Sequence, residues 1–558
     1  MLTSVSCNIR SDYFWAAIAS AVVAVAWAFA YGPATTIGVT ADEGGHIAAG
    51  LQWWTQHRFN YEPLTPPLGR LAAAFLPWLS GVQPQGQDGV WGEGRAILAA
   101  SQDPGHVLFL ARLSSLVFLS LASATVWLIT RRGAGPGIAT IAVSLFSTVP
   151  PILGAASIAA TDLPQAAMLI AAIYALMLFI DNASVGRSIC VGVTASLAIV
   201  AKFSTLVFYP ASAAAILLVA LFRKDDAWRP DRHLVKLVLL YTVPTSVFVI
   251  WALYNFRIGS LLYMSPMQPA GISVVEPIEG WKKIAAIPIF PANEFLRGLL
   301  DAFRRTAYVS RGRLFGLESG YLTYFFVITS FFIKTPVHFF LLTAIGIAFD
   351  IRQAPSRGQF WIRGAWVSGI AILLAATFTV PPLGVRYVLS VYACFSICAA
   401  TAIQCLWRSQ KRLLARLFDV GCAIWCSAIV VSSRRDYLGW FSVFAGPDPS
   451  KIEWSTDNDF GQFGVFLARE LRARNVDHVR LMLGYSPQIP GLQSGLYHNT
   501  DNLKWLGMPS FSRLEAEDQS PGWIAISVPS INEPGFGWLR NEVPVVTIDH
   551  AISVYNIK

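Results

Sequence analysis

Apolar runs long enough to cross a lipid bilayer recur from residue 13 to residue 433, and this repetition excludes most folds before any motif is read. They fall at 13–33, 107–130, 137–155, 162–180, 188–201, 203–222, 237–255, 321–348, 364–380, 387–407 and 417–433. Crossing the hydrocarbon core takes about 20 helical residues. No water is available there to the backbone, so each run must close its own hydrogen bonds as a helix. Only 13% of the 558 residues are charged, about half the share found in soluble domains. The expected fold is a polytopic α-helical membrane protein with about 11 transmembrane helices.

Orientation follows from Lys and Arg in the short loops. One set of ends holds Arg10, Arg131, Arg132, Arg187, the cluster from Arg223 to Lys236, Arg352 to Arg363, and Arg408 to Arg416. The opposite short loops hold Lys202 and Arg386. The basic ends are expected in the cytoplasm, and they account for a net charge of +9 without a nucleic-acid partner. The first run is read as a retained helix rather than a cleaved signal. An odd number of crossings then divides the chain into a transmembrane domain, 1–433, and an extracytoplasmic domain, 434–558. Two long external loops are expected at 34–106 and 256–320.

In the first loop, "HIAAGLQWWTQHRFN" places Ile47, Leu51 and Trp54 on one helical face beside Trp53, which suits the headgroup layer. "LTPPLGRLAAAFLPWLSG" is apolar but broken by prolines and Arg70, so it is expected to dip into or lie on the membrane. The C-terminal part reads as soluble α/β. "FGVFLARELRARN" is an amphipathic helix, and "HVRLMLGY", "GWIAISV" and "VPVVTIDHAISVYNI" are strands. No nucleotide-binding glycine fingerprint or zinc spacing is present. The cysteine pairs Cys394/Cys398 and Cys422/Cys426 read as small apolar side chains within helices.

Ionisable residues at membrane depth are costly and point to function. Asp42 and Glu43 follow the first run, Asp162 opens the fourth, Lys202 lies between the fifth and sixth, and Arg386 opens the tenth. All are expected on the external face. The 256–320 loop adds Lys282, Lys283, Arg297, Arg304, Arg305, Arg311 and Arg313. Carboxylates beside cations at a membrane surface fit the handling of a lipid-linked phosphate: cations bind the phosphate and a carboxylate takes a proton from an incoming hydroxyl. Structural roles stand beside these. Asp162 before Leu163-Pro164 fits a helix cap, Glu43 an ion pair or cap, Lys202 and Arg386 lipid headgroups, and His46 an orienting hydrogen bond. Asp42 has no cation within sequence reach.

Motifs along nearly the whole chain carry a family resemblance. They are Asp42-Glu43; "TPPLGR" with Thr65 and Arg70; "AATDLPQ" with Thr161, Asp162 and Pro164; "AKFSTL" at Lys202; "IKTPV" with Lys334, Thr335 and Pro336; and "GVRYVL" with Gly384, Arg386 and Tyr387. "DNDFGQ" (457–462) and "PGWIAIS" follow beyond the last run. In this order they resemble the GT-C glycosyltransferases that use polyprenyl-phosphate sugars, nearest the protein O-mannosyltransferases and the bacterial aminoarabinose transferases of lipid A.

The resemblance implies a GT-C fold in a bacterial inner membrane, with the site on the periplasmic face. It implies Asp42 as general base, with Glu43 and Asp162 beside it in the catalytic set. Substrate-binding residues are then His46, Arg70, Lys202, Arg304, Arg305, Lys334, Arg386 and Tyr387. The partners are a polyprenyl-phosphate-linked sugar and a glycan, lipid or protein acceptor. The chemistry requires no cofactor or metal. A transporter or flippase of lipid-linked sugars is the alternative; it would favour repeated halves and charges near the midplane.

Overall fold

The computed structural model describes residues 9–59, 61, 64–222, 231–261, 287–306, 313–316, 323–379, 383–408, 412–455, 458–483, 507–533 and 535–558. Its apolar runs are helical. α1 is Ile9–Thr36, α2 Glu43–Gln56, α3 Pro67–Leu79, α4 Val90–Ala100, α5 Pro104–Ala134, α6 Pro136–Ser147, α7 Pro150–Ala156, α8 Asp162–Asp181, α9 Val185–Ala201 and α10 Thr205–Leu221. α11, Arg232–Leu237, continues through a wide turn into α12, Val243–Leu253. Then come α13 Asn293–Thr306, α14 Thr323–Ile333, α15 Val337–Arg352, α16 Arg357–Thr379, α17 Leu389–Arg408, α18 Arg412–Ser432 and α19 Gly464–Ala473.

Six of these stretches are long and apolar enough to span a bilayer, and two bent pairs bring the number to eight. Three shorter apolar helices, Val185–Ala201, Thr205–Leu221 and Val420–Ser432, lie in the remaining expected runs. The run expected to cross once at 137–155 is two helices bent by 70°, because Pro150-Pro151 cannot continue the hydrogen-bond ladder. The run at 321–348 is bent by 106° between α14 and α15. There Pro336 drives Thr335 out of helical geometry, and Lys334 sits in the corner.

Local signals explain the ends of α5, the central helix. Asp103 caps it by accepting from the His106 amide at 2.9 Å, and Pro104 fills its first position. Arg131 and Arg132 lie in its last turn, where cations favour the helix dipole. At that end of the bundle basic loop residues meet carboxylates: Arg131 pairs with Asp12, Arg357 with Asp181 at 2.8 Å, and Arg363 with Asp350 at 2.8 Å. The charge grouping expected from the short loops is thus gathered at one end.

At the other end α2 packs on α3 and α4, and α3 packs on α5. Gly50 permits this, since a Cβ there would stand 2.2 Å from the Arg70 carbonyl oxygen. The expected headgroup-facing tryptophans are instead half-buried in protein. The indole N–H of Trp53 donates to the Leu253 carbonyl and that of Trp54 to Leu71, each at 3.0 Å, and Trp54 stacks on Trp78. The crossing of α12 supplies a protein acceptor where the sequence pattern offered only lipid.

Beyond α18 the chain forms a five-stranded mixed sheet. β1 (Ile258–Gly259) pairs with β2 (Phe290–Pro291), and β3 (Arg313–Leu314) with β4 (Glu453–Trp454). The C-terminal sheet has the order β6 (Ser510–Arg513), β5 (His478–Met482), β7 (Gly522–Ser527), β9 (Ile552–Ile557), β8 (Val546–Ile548). β5 lies parallel to β6 and β7, while β9 runs antiparallel to β7 and β8. α19 buries Leu467, Ala468 and Leu471 against it. The stretch "VPVVTIDHAISVYNI", expected as one strand, is a hairpin. Asp549 and His550 turn it with φ of 43° and 61°, the left-handed pair of a tight hairpin turn. β6 had no counterpart in the sequence reading.

Candidate functional site

Asp42 precedes α2, Asp162 begins α8, Lys202 caps the end of α9 and Arg386 lies in a short 3₁₀ turn, Val385–Val388, before α17. These four positions, far apart in sequence, meet at one end of the bundle. Lys202 Nζ donates to Asp162 Oδ1. Arg386 Nη1 is 3.3 Å from Asp42 Oδ2 and 3.9 Å from Asp162 Oδ2. Tyr387 lies between the cations, its ring centroid 3.5 Å from Lys202 Nζ and 5.6 Å from the Arg386 guanidinium carbon. Gly384, at φ 100°, makes the turn that aims this pair inward, a conformation few side chains tolerate.

The carboxylates are not equivalent. The side chain of Asp42 is 30% exposed and that of Asp162 5%, so an incoming group reaches Asp42 more readily. Asp162 does not serve as the cap of α8; Thr161 precedes the helix, and the Asp162 carboxylate turns to Lys202 and Arg386. A small cleft opens beside them, lined by Asp162, Lys334, Arg386 and Phe460 among apolar side chains such as Ile158 and Leu389.

Glu43, expected beside Asp42 in the catalytic set, is paired with Arg112. It is fully buried and accepts four hydrogen bonds. Arg112 Nε and Nη2 meet its two oxygens at 2.7 Å each, while the Thr40 and Ala159 amides donate at 2.9 Å. Burial opposes its ionisation, but the charge and hydrogen bonds of Arg112, with the two amides, hold the carboxyl below its ordinary value. The other donors of Arg112 go to the Ala34, Ile37 and Gly38 carbonyls. These close the C-terminal end of α1, whose last carbonyls lack helical partners.

Arg70 and His46 are not among the residues that line the cleft. Arg70 is fully buried and donates from Nε to His46 Nδ1 at 3.2 Å. Burial and then the neighbouring Arg70 charge push the imidazole well below its ordinary pKa, so it is neutral and accepts this bond. His46 and Arg70, both expected to bind substrate, are thus buried and joined to each other by this bond. Lys334 reaches the cleft wall, donates to the Leu438 carbonyl at 2.7 Å and lies 3.7 Å from the Phe441 ring centroid. Arg304 and Arg305 belong to α13, but their side chains fall outside the described residues, as do Lys282, Lys283 and Arg311. Among the described residues no cluster of three His, Cys, Asp or Glu side chains is placed to hold a metal.

Comparison with known proteins gives this arrangement a context. Residues 104–251 match the family described as dolichyl-phosphate-mannose-protein mannosyltransferase. The structure resembles the archaeal oligosaccharyltransferase AglB from Archaeoglobus fulgidus, in complex with an inhibitory peptide and a dolichol-phosphate. That likeness has TM-score 0.51 and 11% identity, and covers 93% of this chain and 70% of AglB. This chain shares the fold of that oligosaccharyltransferase. ArnT from Cupriavidus metallidurans also aligns, at 15% identity over 98% of each chain with TM-score 0.46 in its apo state. With undecaprenyl phosphate bound, ArnT aligns at 14% identity over 96% of this chain and 97% of its own, with TM-score 0.39. The fold assignment rests on AglB. No curated protein matches the sequence.

Two neighbours of these charged residues have no counterpart in the sequence-based expectations. Arg112 lies inside the run 107–130, where a lone charge in an apolar stretch was itself the signal. Phe460 lies within "DNDFGQ", and the motif held the only hint. Its ring centroid is 4.3 Å from the Arg386 guanidinium carbon.

Proposed function

We propose that this chain transfers a sugar from a polyprenyl-phosphate donor to an acceptor hydroxyl, with inversion at the anomeric carbon. The observation that carries the reading is the convergence of Asp42, Asp162, Lys202 and Arg386 in one ion-paired cluster, of which Asp162 and Arg386 line the cleft. In the proposed step the acceptor oxygen attacks the anomeric carbon and its proton passes to Asp42. The bond from that carbon to the phosphate oxygen breaks, and the lipid phosphate leaves with the electron pair. A phosphate monoester has a second pKa near 6, so departure needs no general acid. Arg386 and Lys202 stabilise the growing charge, with Lys334 at the far wall. Asp162 holds Lys202 and Arg386 for this task. The dolichol-phosphate in AglB and the dolichyl-phosphate donor in the matched family's description support a lipid phosphate as carrier.

The test is donor affinity. Lys202→Ala and Arg386→Ala should each weaken it by about 10- to 100-fold, as expected for losing a hydrogen bond between charged partners worth ~1.5–3 kcal/mol. Both proteins should remain folded. Unchanged affinity in both would assign the cations to lipid headgroups and remove the phosphate site from this cleft.

The reading also places the cleft and the C-terminal domain outside the cytoplasm, in a bacterial plasma membrane, as the grouping of basic loops at the opposite end supports. A reporter fused after residue 450 should then be active on the external side. Activity in the cytoplasm would reverse the orientation and deny the enzyme an external acceptor.

A further inference from the structure

We infer that Phe460, carried by the C-terminal domain, is a positioning residue for the phosphate-binding arginine, and that the active site is incomplete without this domain. The inference rests on the reading of Arg386 as a phosphate ligand. Phe460 is buried, and its ring centroid lies 4.3 Å from the Arg386 guanidinium carbon, within cation–π distance. A guanidinium can pack on an aromatic ring while its N–H edge hydrogen-bonds to anions. That edge carries Nη1, which already faces Asp42 and Asp162. The ring thus fixes the plane of the fork without occupying its donors, as two-point recognition of a phosphate requires.

The same segment also holds the carboxylate side of the cleft. The Phe460 carbonyl accepts from the Ala41 amide at 2.9 Å, next to Asp42, and the Gln462 carbonyl accepts from the Gly38 amide at 3.0 Å. The fully buried Gln462 locks the segment itself. Its Oε1 accepts from the Phe460 amide at 2.7 Å, and its Nε2 donates to Asp436 at 3.3 Å. Asp436 in turn accepts from the Leu438 and Gly439 amides at 2.8 and 3.0 Å. One short stretch beyond the last apolar helix therefore sets the plane of the cation and anchors the chain beside the proposed base.

The experiment uses the purified full-length chain and undecaprenyl phosphate as probe, with Kd measured by equilibrium binding. Phe460→Leu and Phe460→Met both remove the ring, and each should raise Kd about 3- to 30-fold, the range of a partly desolvated cation–π contact. Phe460→Tyr and Phe460→Trp restore a ring and should bind within about twofold of wild type. A filler role alone predicts the opposite order, because Leu and Met fit a buried apolar site better than Trp. Wild-type Kd in the Leu or Met variant, or a Tyr variant as weak as Leu, overturns the inference. Arg386→Ala, measured beside them, separates the two readings. If it binds normally, the phosphate site itself is misassigned; if it alone is weakened, only the role of Phe460 falls.

Discussion

Asp42→Asn is expected to lower sugar transfer by at least about 10²-fold, the lower end of what a general base contributes. The protein should still fold and bind the lipid donor. Asparagine keeps the shape and most hydrogen bonding of the side chain but cannot accept the acceptor's proton, so the variant isolates the basic function from packing. The geometry sharpens this expectation. Asp42 is the more exposed of the two cleft carboxylates, and it lies 3.3 Å from an arginine that a phosphate would also engage. Removing its charge leaves Arg386 with one competitor fewer, so donor binding should hold or tighten while turnover falls. Asp162→Asn behaves differently, because Asp162 holds Lys202; its loss should weaken donor binding as well as turnover. Near-normal transfer by Asp42→Asn together with a dead Asp162→Asn that binds donor normally would move the base to Asp162. Full activity in both would take the chemistry away from this cleft.

The four charges of the cleft were legible because a bilayer makes isolated charges conspicuous. Asp42, Asp162, Lys202 and Arg386 each stand at the end of an apolar run, and the alternation of runs assigns them to one face. Which of them touch was not legible. The partner of Asp42 lies 344 positions away, and neither periodicity nor loop charge encodes such a distance. Glu43 shows the same limit from the other side. Beside Asp42 it looked equally available, yet one step along the chain turns it toward Arg112. Arg112 was passed over because a run is recognised by its average, in which a single charge is diluted. The corner at Lys334 was written in Pro336 but hidden by the apolar residues on both sides. The turn at Asp549-His550 lacks the glycine that marks most such hairpins, so two strands read as one.

The largest stability effect is expected at Arg112 and Glu43, and the two partners should not be equal. Removing one member of a buried ion pair typically costs about 3–5 kcal/mol, because the other charge is left without compensation. Total stabilities are about 5–15 kcal/mol, so such a loss is large. In Arg112→Met, Glu43 keeps only the Thr40 and Ala159 amides around a buried carboxylate, and the Ala34, Ile37 and Gly38 carbonyls lose their donors. In Glu43→Gln, Arg112 retains those three carbonyls and gains a neutral amide oxygen. Arg112→Met should therefore unfold at a clearly lower temperature than Glu43→Gln in the same detergent, and the double variant should lose less than the sum of the two. Acid supplies an independent check. The folded state holds the Glu43 carboxyl below its ordinary value of 4.5. Its stabilising contribution is thus complete above that value and lost as pH falls through the folded-state pKa. Wild type should lose this contribution at low pH, and Arg112→Met, in which the depressing charge is gone, should show less of the loss. Wild-type melting in Arg112→Met, with additive effects in the double variant, would mean that the pair does not hold the loop before Asp42.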